Sequence, residues 1–183
     1  MNSVLMSIRP KWCELIGCGK KTIEVRKSRP RIDTPFKVYM YCSRERLKHG
    51  LHLYVCEPSK REKYGTFVHW RNGNDVVDVN PHLPAYRFNC YLAEGNVIGE
   101  FVCDKIYELA PLNHAPDDTE QRACLSHEEI AQYLKGKGYA WNITNVRIFG
   151  ELIPISQFRN VLTRPPQSWR YIEKGGTNVD QDN

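Results

Sequence analysis

The sequence predicts an α+β protein built on a small mixed β-barrel with short peripheral helices and a long insertion. Two observations predict this fold: five or six segments have the composition or alternation of β-strands, and only two short segments have helical spacing. Strands and helices do not alternate regularly, which argues against a doubly wound parallel sheet and favours a barrel. Because 183 residues suffice to bury one hydrophobic core, we expect a single domain over residues 1–174.

The N-terminal half begins with a helix and two strands. Residues 10–19 predict a short helix, because Pro10 suits the first turn and a glycine can end it. Residues 22–26 alternate with period two and predict a strand, and residues 36–42 predict a second, more buried strand. Residues from about 43 to 92 mix charged and aromatic stretches with prolines, and we interpret them as an insertion into the sheet that contains some strand.

The C-terminal half returns to strands and one helix. Residues 96–107 predict a long strand in which Gly99 marks a bulge or a close approach of backbones. Ser126 and Glu129 have the spacing of a capping box and predict a helix that ends near Gly136. The remaining predicted elements are a strand over 141–149, a helical turn over 154–158, a strand over 169–173 and a flexible tail over 175–183.

Positive charge is concentrated in the N-terminal third of the chain. Lys and Arg exceed Asp and Glu by nine over residues 1–63, whereas residues 64–183 carry a net charge of −4. The formal charge of the whole chain is +5. This asymmetry predicts either a surface for an anionic partner, of which nucleic acid is the commonest, or a solvated basic face.

The composition disfavours several classes of protein and site. With 41% apolar and 26% charged residues the chain has the composition of a soluble globular protein, and its apolar runs are too short for a transmembrane helix. No apolar signal-peptide core precedes Arg9, so we expect a cytoplasmic protein without membrane contact. The seven cysteines form no Cys-x-x-Cys pair and the histidines have no ligand spacing. We therefore expect reduced thiols and neither a metal nor a cofactor, and the oligomeric state stays open.

The segment 19–26 carries the strongest functional signal, because it places cations and a carboxylate at short spacing where a strand begins. By the two-residue period of a strand, Thr22, Glu24 and Arg26 share one face, and Lys21 enters beside them. A glutamate between two cations keeps all three charged, and an arginine held in this way can present its guanidinium to phosphate or a base edge. The alternative from spacing alone is an ion-pair row on a solvated strand face.

Gly19, Lys21, Glu24 and Arg26 match the four fixed positions of the pattern Gly-x-Lys-x-x-Glu-x-Arg. On this motif the sequence resembles the ASCH domains, a branch of the PUA-like superfamily, and looks like their small bacterial or phage-related members. The resemblance covers about residues 4–173, with a poor match over the insertion. It implies a PUA-like barrel with a cleft lined by the signature residues, and recognition of RNA or of a modified nucleotide.

The first functional hypothesis is therefore a binding domain whose partner is RNA or a nucleoside ligand. Cations of the motif would contact phosphate or a base edge, its glutamate would orient them, and basic residues ahead of the motif would extend the rim. The residues predicted to bind nucleic acid are Arg9, Lys11, Lys21, Glu24 and Arg26. The candidates for stacking on an unpaired base, each of which could instead belong to the core, are Trp12, Tyr39, Tyr41, Trp141 and Trp169.

The alternative hypothesis is a hydrolase, either a ribonuclease or an enzyme resembling the N4-acetylcytidine amidohydrolases of this fold. The resemblance implies a catalytic lysine at Lys21 and a glutamate near Glu100, with Glu24 as a further carboxylate. Glu24 occupies the position at which those enzymes have a threonine, so the hydroxyl nucleophile is missing and binding is favoured over catalysis. A docking role in a protein complex is also open for the insertion.

Overall fold

Twelve strands and three helices occur in the part of the chain that the computed structural model describes, which is residues 3–44, 51–56, 67–72, 75–77, 90–109, 115–158 and 164–172. The strands are β1 (Ser3–Ile8), β2 (Ile23–Arg26), β3 (Phe36–Cys42), β4 (Leu51–Cys56), β5 (Phe67–Asn72), β6 (Asp75–Val77), β7 (Cys90–Leu92), β8 (Asn96–Cys103), β9 (Ile106–Leu109), β10 (Gly138–Asn142), β11 (Thr144–Pro154) and β12 (Trp169–Ile172). The helices are α1 (Pro10–Gly17), α2 (Thr119–Ala123) and α3 (His127–Leu134), and a 3₁₀ turn covers Ile155–Phe158.

A five-stranded sheet in the order β11-β8-β3-β1-β12 carries the main core. Within it β1 and β3 are parallel and the other pairs are antiparallel. Alternate side chains of β1 point to opposite faces, so Val4 and Met6 join the main core cluster whereas Leu5 joins a second cluster. Because both faces are covered along β1, this strand has an almost continuous apolar sequence.

Two smaller sheets complete the mixed α+β fold, as the sequence predicts. The order β2-β10-β9 forms a three-stranded sheet, and the order β6-β5-β4-β7 forms a four-stranded sheet within the predicted insertion. Among the described residues, each strand pairs by backbone hydrogen bonds only with strands of its own sheet, so the strands form three separate sheets. The rest of the insertion and the predicted tail over 175–183 lie outside the described residues.

Two segments predicted as single strands are divided between sheets. The segment 96–107 breaks at the exposed residues Asp104 and Lys105, so that β8 belongs to the five-stranded sheet and β9 to the three-stranded one. The segment 141–149 breaks at Ile143, between β10 and β11. Apolar residues follow each break directly or after two residues, and hydrophobic periodicity alone does not show where a chain changes sheets. The sequence also gave no prediction for β1 and α2.

The helix predicted from the capping box is confirmed as α3. The Ser126 hydroxyl accepts a hydrogen bond from the Glu129 backbone N–H (3.2 Å), and the Glu129 carboxylate accepts one from the Ser126 backbone N–H (2.8 Å). The helix ends at Leu134, and Lys135 and Gly136 follow with positive φ angles. The cap fixes the start of α3 and therefore fixes which of its side chains meet the rest of the fold.

Gly99 lies at a close approach of backbones, as the sequence predicts. It pairs with Met40 of β3 and with Ile148 of β11, and the register of both strand pairs shifts next to it. A Cβ atom at this position would overlap the carbonyl oxygen of Arg147 and lie 3.0 Å from the Met40 methyl carbon. Only glycine therefore lets β11 approach β8 this closely.

Replacing Gly99 by alanine is expected to lower the free energy of unfolding by about 1–3 kcal/mol, because the backbone of β11 must move away from the new methyl group. Urea unfolding followed by tryptophan fluorescence measures this change. We expect a lower midpoint with an unchanged slope, since the surface exposed on unfolding stays the same. A midpoint equal to that of the parent protein would mean that β11 is free to shift.

The cysteines whose side chains are described are free thiols. Cys13, Cys42 and Cys103 lie in the main core cluster. Burial raises the pKa of the Cys13 thiol well above its usual range, and burial also raises the pKa of Cys103 to about 12. The Cys13 and Cys103 thiols stay protonated, and the buried cysteines pack as small apolar groups, as the sequence predicts.

Candidate functional site

Lys21, Glu24 and Arg26 form a buried ion triad in which the carboxylate lies between the two cations. Glu24 Oε2 is 3.4 Å from Lys21 Nζ, and Glu24 Oε1 is 2.9 Å from Arg26 Nη2. The exposed fractions of the three side chains are 2%, 8% and 9%. The structure thus brings the charged residues of the motif together in the interior, which argues against a solvated ion-pair row.

The turn between α1 and β2 decides which side chains join the triad. Gly19 has a φ of +74°, and the Lys21 backbone N–H then donates to the Leu15 carbonyl oxygen (2.8 Å). Lys21 consequently lies just ahead of β2 and turns its side chain toward Glu24. The Thr22 hydroxyl instead accepts a hydrogen bond from Arg122 Nε (3.1 Å). The prediction that Thr22 shares a row with Glu24 and Arg26 is wrong, because Thr22 precedes the strand.

Contacts with three parts of the described chain hold the Lys21 side chain. Nζ donates to the Ala123 carbonyl oxygen at 2.6 Å and lies 4.9 Å from the centre of the Trp12 ring. A carbonyl oxygen, a carboxylate and the face of an indole ring all stabilise a positive charge. The Lys21 Nζ atom is therefore held in one place by partners from α1, α2 and β2.

Arg26 ties together three parts of the chain. Its Nη2 donates to the Ser7 carbonyl oxygen at 2.8 Å, and Nη1 donates to Ser168 Oγ at 3.4 Å. Ser7 also binds the segment before β12, through a hydrogen bond from its hydroxyl to the Pro166 carbonyl oxygen (2.6 Å). The guanidinium thus joins β2 to the end of β1 and to the chain that enters β12, which fixes its plane.

A cavity of about 790 Å³ opens over the ion triad, in the size range of sites for small ligands. Its walls come from the ends of β1 and β3, from β2, from α3 and from residues 165–167. The charged and aromatic residues that line it are the cations Arg9, Lys21, Arg26 and Arg44, the carboxylates Glu24 and Glu129, and the rings of Trp12, Tyr41 and Tyr133.

The rim of the cavity differs from the predicted one. Arg9 lines the cavity and is exposed, whereas Lys11 is exposed but lies outside it, with Nζ 4.7 Å from the centre of the Trp12 ring. Arg44 and Tyr133 are lining residues that sequence reasoning missed. Arg44 follows β3 in a stretch interpreted as insertion, and Tyr133 comes from α3. The capping box predicts that helix, but nothing in the sequence shows against what it packs.

Several of the predicted stacking residues belong to the core. Trp141 is fully buried, with its ring centre 5.6 Å from that of Phe36 and 5.8 Å from that of Trp169. Tyr39 packs edge-on against Phe158 at 5.9 Å. The predicted stacking residues that line the cavity are Trp12 and Tyr41. Tyr133 has an exposed fraction of 42% and is the most exposed ring of this cavity, since Trp12 is half-buried and Tyr41 is 5% exposed.

Glu100 does not join the ion triad. It lies on β8, where its carboxylate contacts Lys37 Nζ at 3.0 Å and Arg147 Nη1 at 3.2 Å. It is not among the residues that line the cavity. Its two oxygens thus balance cations on the neighbouring strands β3 and β11.

The described residues contain neither a metal-binding cluster nor a membrane-spanning helix. No group of three or more His, Cys, Asp or Glu side chains among them is placed to hold a metal ion. None of the helices in this part of the chain is both long enough and apolar enough to cross a membrane.

Comparisons with known proteins give a match of fold rather than of sequence. No family model and no curated protein matches this sequence. The crystal structure of ASCH from Zymomonas mobilis matches with a TM-score of 0.58, at 18% identity, over 94% of this chain and 88% of that chain. The chain has the ASCH fold.

Two variants of the Zymomonas mobilis protein have the same ASCH fold and also match. A tyrosine-to-phenylalanine variant gives a TM-score of 0.55 at 16% identity, over 95% of this chain and 92% of that chain. A serine-to-alanine variant gives 0.51 at 17% identity, over 94% and 89%. The ASCH resemblance that the motif predicts is therefore confirmed at the level of the fold, and in this chain the signature charges form the floor of the cavity.

Proposed function

We propose that the cavity over the ion triad binds single-stranded RNA or a modified nucleotide. The observation that carries this proposal is the combination, in one cavity, of fixed cations on the floor with exposed cations and an exposed ring on the rim. Arg9 and Arg44 can contact phosphate, and the Tyr133 ring offers a surface on which an unpaired base can stack.

The charge of the cavity favours an anionic ligand. Four lining cations face two lining carboxylates, and the triad itself carries one net positive charge. Because Lys21 and Arg26 are almost fully buried, they act as charges fixed by the protein, in a place where solvent screens them little. In this proposal Glu24 orients both cations, and the more exposed arginines of the rim make the direct phosphate contacts.

The contacts of Lys21 support binding over hydrolysis. A general base must reach the proton that it removes, but Lys21 Nζ is already engaged by the Ala123 carbonyl oxygen, the Glu24 carboxylate and the Trp12 ring. Glu100, the second carboxylate that the hydrolase hypothesis requires, is balanced by Lys37 and Arg147 away from the cavity. We therefore expect the protein to leave both N4-acetylcytidine and single-stranded RNA intact, and product analysis of the two mixtures tests this.

Four finer expectations from the sequence stay predictions. They are the closure of the sheets into a PUA-like barrel, a single domain over residues 1–174, a cytoplasmic location and a phage-related type. The cavity over the motif is lined by residues of both the five-stranded and the three-stranded sheet, which supports the barrel. The N-terminal charge asymmetry supports an anionic partner.

Equilibrium binding of a labelled single-stranded RNA of about 12 nucleotides tests the proposed function. The affinity of the parent protein should fall as salt rises, because bound phosphates release counterions. Changing both Arg9 and Arg44 to glutamine should weaken binding about tenfold near 150 mM salt and flatten the logarithmic salt slope by about 1.4, at 0.7 for each lost phosphate contact.

The matched control for the rim variant changes Lys105 and Lys137 to glutamine. Both lysines are exposed and do not line the cavity over the ion triad, so the total charge falls equally without loss of a rim contact. We expect this control to bind RNA nearly as the parent protein does. The proposal is wrong if the parent protein binds no RNA or modified nucleotide, or if the rim variant and the control bind equally well.

A further inference from the structure

A second cationic cavity lies beside the first, under the turn between β2 and β3. Its volume is about 470 Å³, and it is bounded by residues 27–33 and by Tyr139 of β10. Three exposed cations, Lys27, Arg29 and Arg31, line it together with one carboxylate, Asp33. The lining of this cavity thus carries a formal charge of +2. The binding function proposed above makes no use of these residues.

The turn that carries these cations is held by the five-stranded sheet. The indole N–H of Trp169 donates to Ser28 Oγ at 3.1 Å, and the backbone N–H of Arg31 donates to the Tyr171 hydroxyl oxygen at 2.6 Å. Both partners belong to β12, and Pro30 between the two anchors is buried. Because the backbone is anchored, the cations are presented from a fixed base, which reduces the entropy lost when a ligand binds.

The two cavities adjoin each other through Lys27. This residue directly follows Arg26, which lies on the floor of the first cavity. The Lys27 ammonium lies 5.3 Å from the centre of the Tyr133 ring, and that ring lines the first cavity. The Arg29 guanidinium lies 5.9 Å from the Tyr139 ring, and both residues line the second cavity. Lys27 therefore connects the cations of the turn to the first cavity.

We propose that the turn 27–31 is a phosphate-backbone subsite that continues the RNA site of the first cavity. This inference rests on the proposed function and adds to it the class of ligand, a single strand of several nucleotides rather than a free nucleoside. One base occupies the first cavity, and the phosphates on one side of it cross Lys27, Arg29 and Arg31. The planar fork of each arginine matches two oxygens of a phosphate, and the contacts are independent of base sequence.

The test changes Arg29 and Arg31 together to glutamine and measures binding of the same RNA of about 12 nucleotides across a range of salt. Both side chains are exposed, and the backbone anchors of the turn remain, so the variant should unfold at the temperature of the parent protein. We expect the logarithmic salt slope to flatten by about 1.4 and the affinity near 150 mM salt to fall about tenfold. The control that replaces Lys105 and Lys137 should retain the slope.

The outcomes separate this inference from the proposed function. If the parent protein binds the RNA and the turn variant shows the same salt slope as the parent, the subsite is wrong but the first cavity remains the binding site. If the variant and the lysine control lose affinity equally, net charge explains the effect and the subsite is again wrong. If the parent protein binds a free modified nucleotide but no RNA, the subsite is wrong and the proposed function stands with the nucleotide as its ligand, whereas binding of neither ligand overturns both proposals.

Discussion

Replacing Glu24 by alanine is expected to lower the free energy of unfolding by about 3–5 kcal/mol, which is the usual cost of removing one partner from a buried ion pair. The Glu24 side chain is 8% exposed, and its carboxylate lies 3.4 Å from the Lys21 ammonium and 2.9 Å from the Arg26 guanidinium. Without its carboxylate, two buried cations would face each other with no opposite charge between them. For a chain of this size the loss corresponds to a fall of roughly 6–20 °C in Tm.

Calorimetric or fluorescence-monitored thermal unfolding measures this effect, with two matched variants. Glu24→Gln keeps the size and one acceptor oxygen while removing the charge, so its loss of stability should be smaller than that of the alanine variant. Glu151→Ala removes a carboxylate that is exposed on β11, and its Tm should change by little. Equal unfolding temperatures for Glu24→Ala and Glu151→Ala would contradict the ion triad as described.

Replacing Tyr133 by alanine is expected to weaken RNA binding about 5- to 150-fold, which corresponds to the roughly 1–3 kcal/mol that one base gains by stacking on an aromatic side chain. Tyr133 is the most exposed ring of the first cavity, and Lys27 contacts it from the neighbouring subsite. Because the ring is 42% exposed, its removal should change the stability of the fold little. Titration of labelled RNA at constant salt gives the affinity.

Two variants show whether the Tyr133 effect comes from stacking. Tyr133→Phe keeps the aromatic face and should bind nearly as the parent protein does. Tyr91→Ala removes a ring of similar exposure, 39%, on β7, which lies outside both cavities, and its affinity should stay unchanged. A phenylalanine variant as weak as the alanine variant would assign the effect to the hydroxyl group, and stacking at this position would be wrong.

The motif could be predicted from the sequence because its chemistry is local. Gly19 is needed for a turn with positive φ, and Glu24 and Arg26 lie two residues apart on a strand, so their meeting follows from backbone geometry alone. The two-residue period gave a wrong prediction at one position, the residue just ahead of the strand. Thr22 lies ahead of β2, where the period no longer applies, and Lys21 enters the row in its place.

The walls of the cavity could not be predicted, because they come from parts of the chain that meet only when the sheets pack. The carbonyl oxygen of Ala123 binds Lys21 from α2, a helix that the sequence did not predict. Tyr133 lies on α3, which the sequence predicts, but the sequence does not show against which elements α3 packs. Trp141 has the composition of a stacking residue, yet it is fully buried because β10 lies inside the fold.

The sequence by itself determined the α+β class, the capped helix α3, the glycine at the close approach of β8, and the group of charges in the motif. Each of these follows from the spacing of residues within one segment. Only the tertiary structure decided that the charges are buried, that Glu100 is balanced elsewhere, and that Arg44, Tyr133 and the turn 27–31 surround the cavities. The physical reason is that burial and long-range contact depend on how the sheets pack against one another, which local periodicity does not contain.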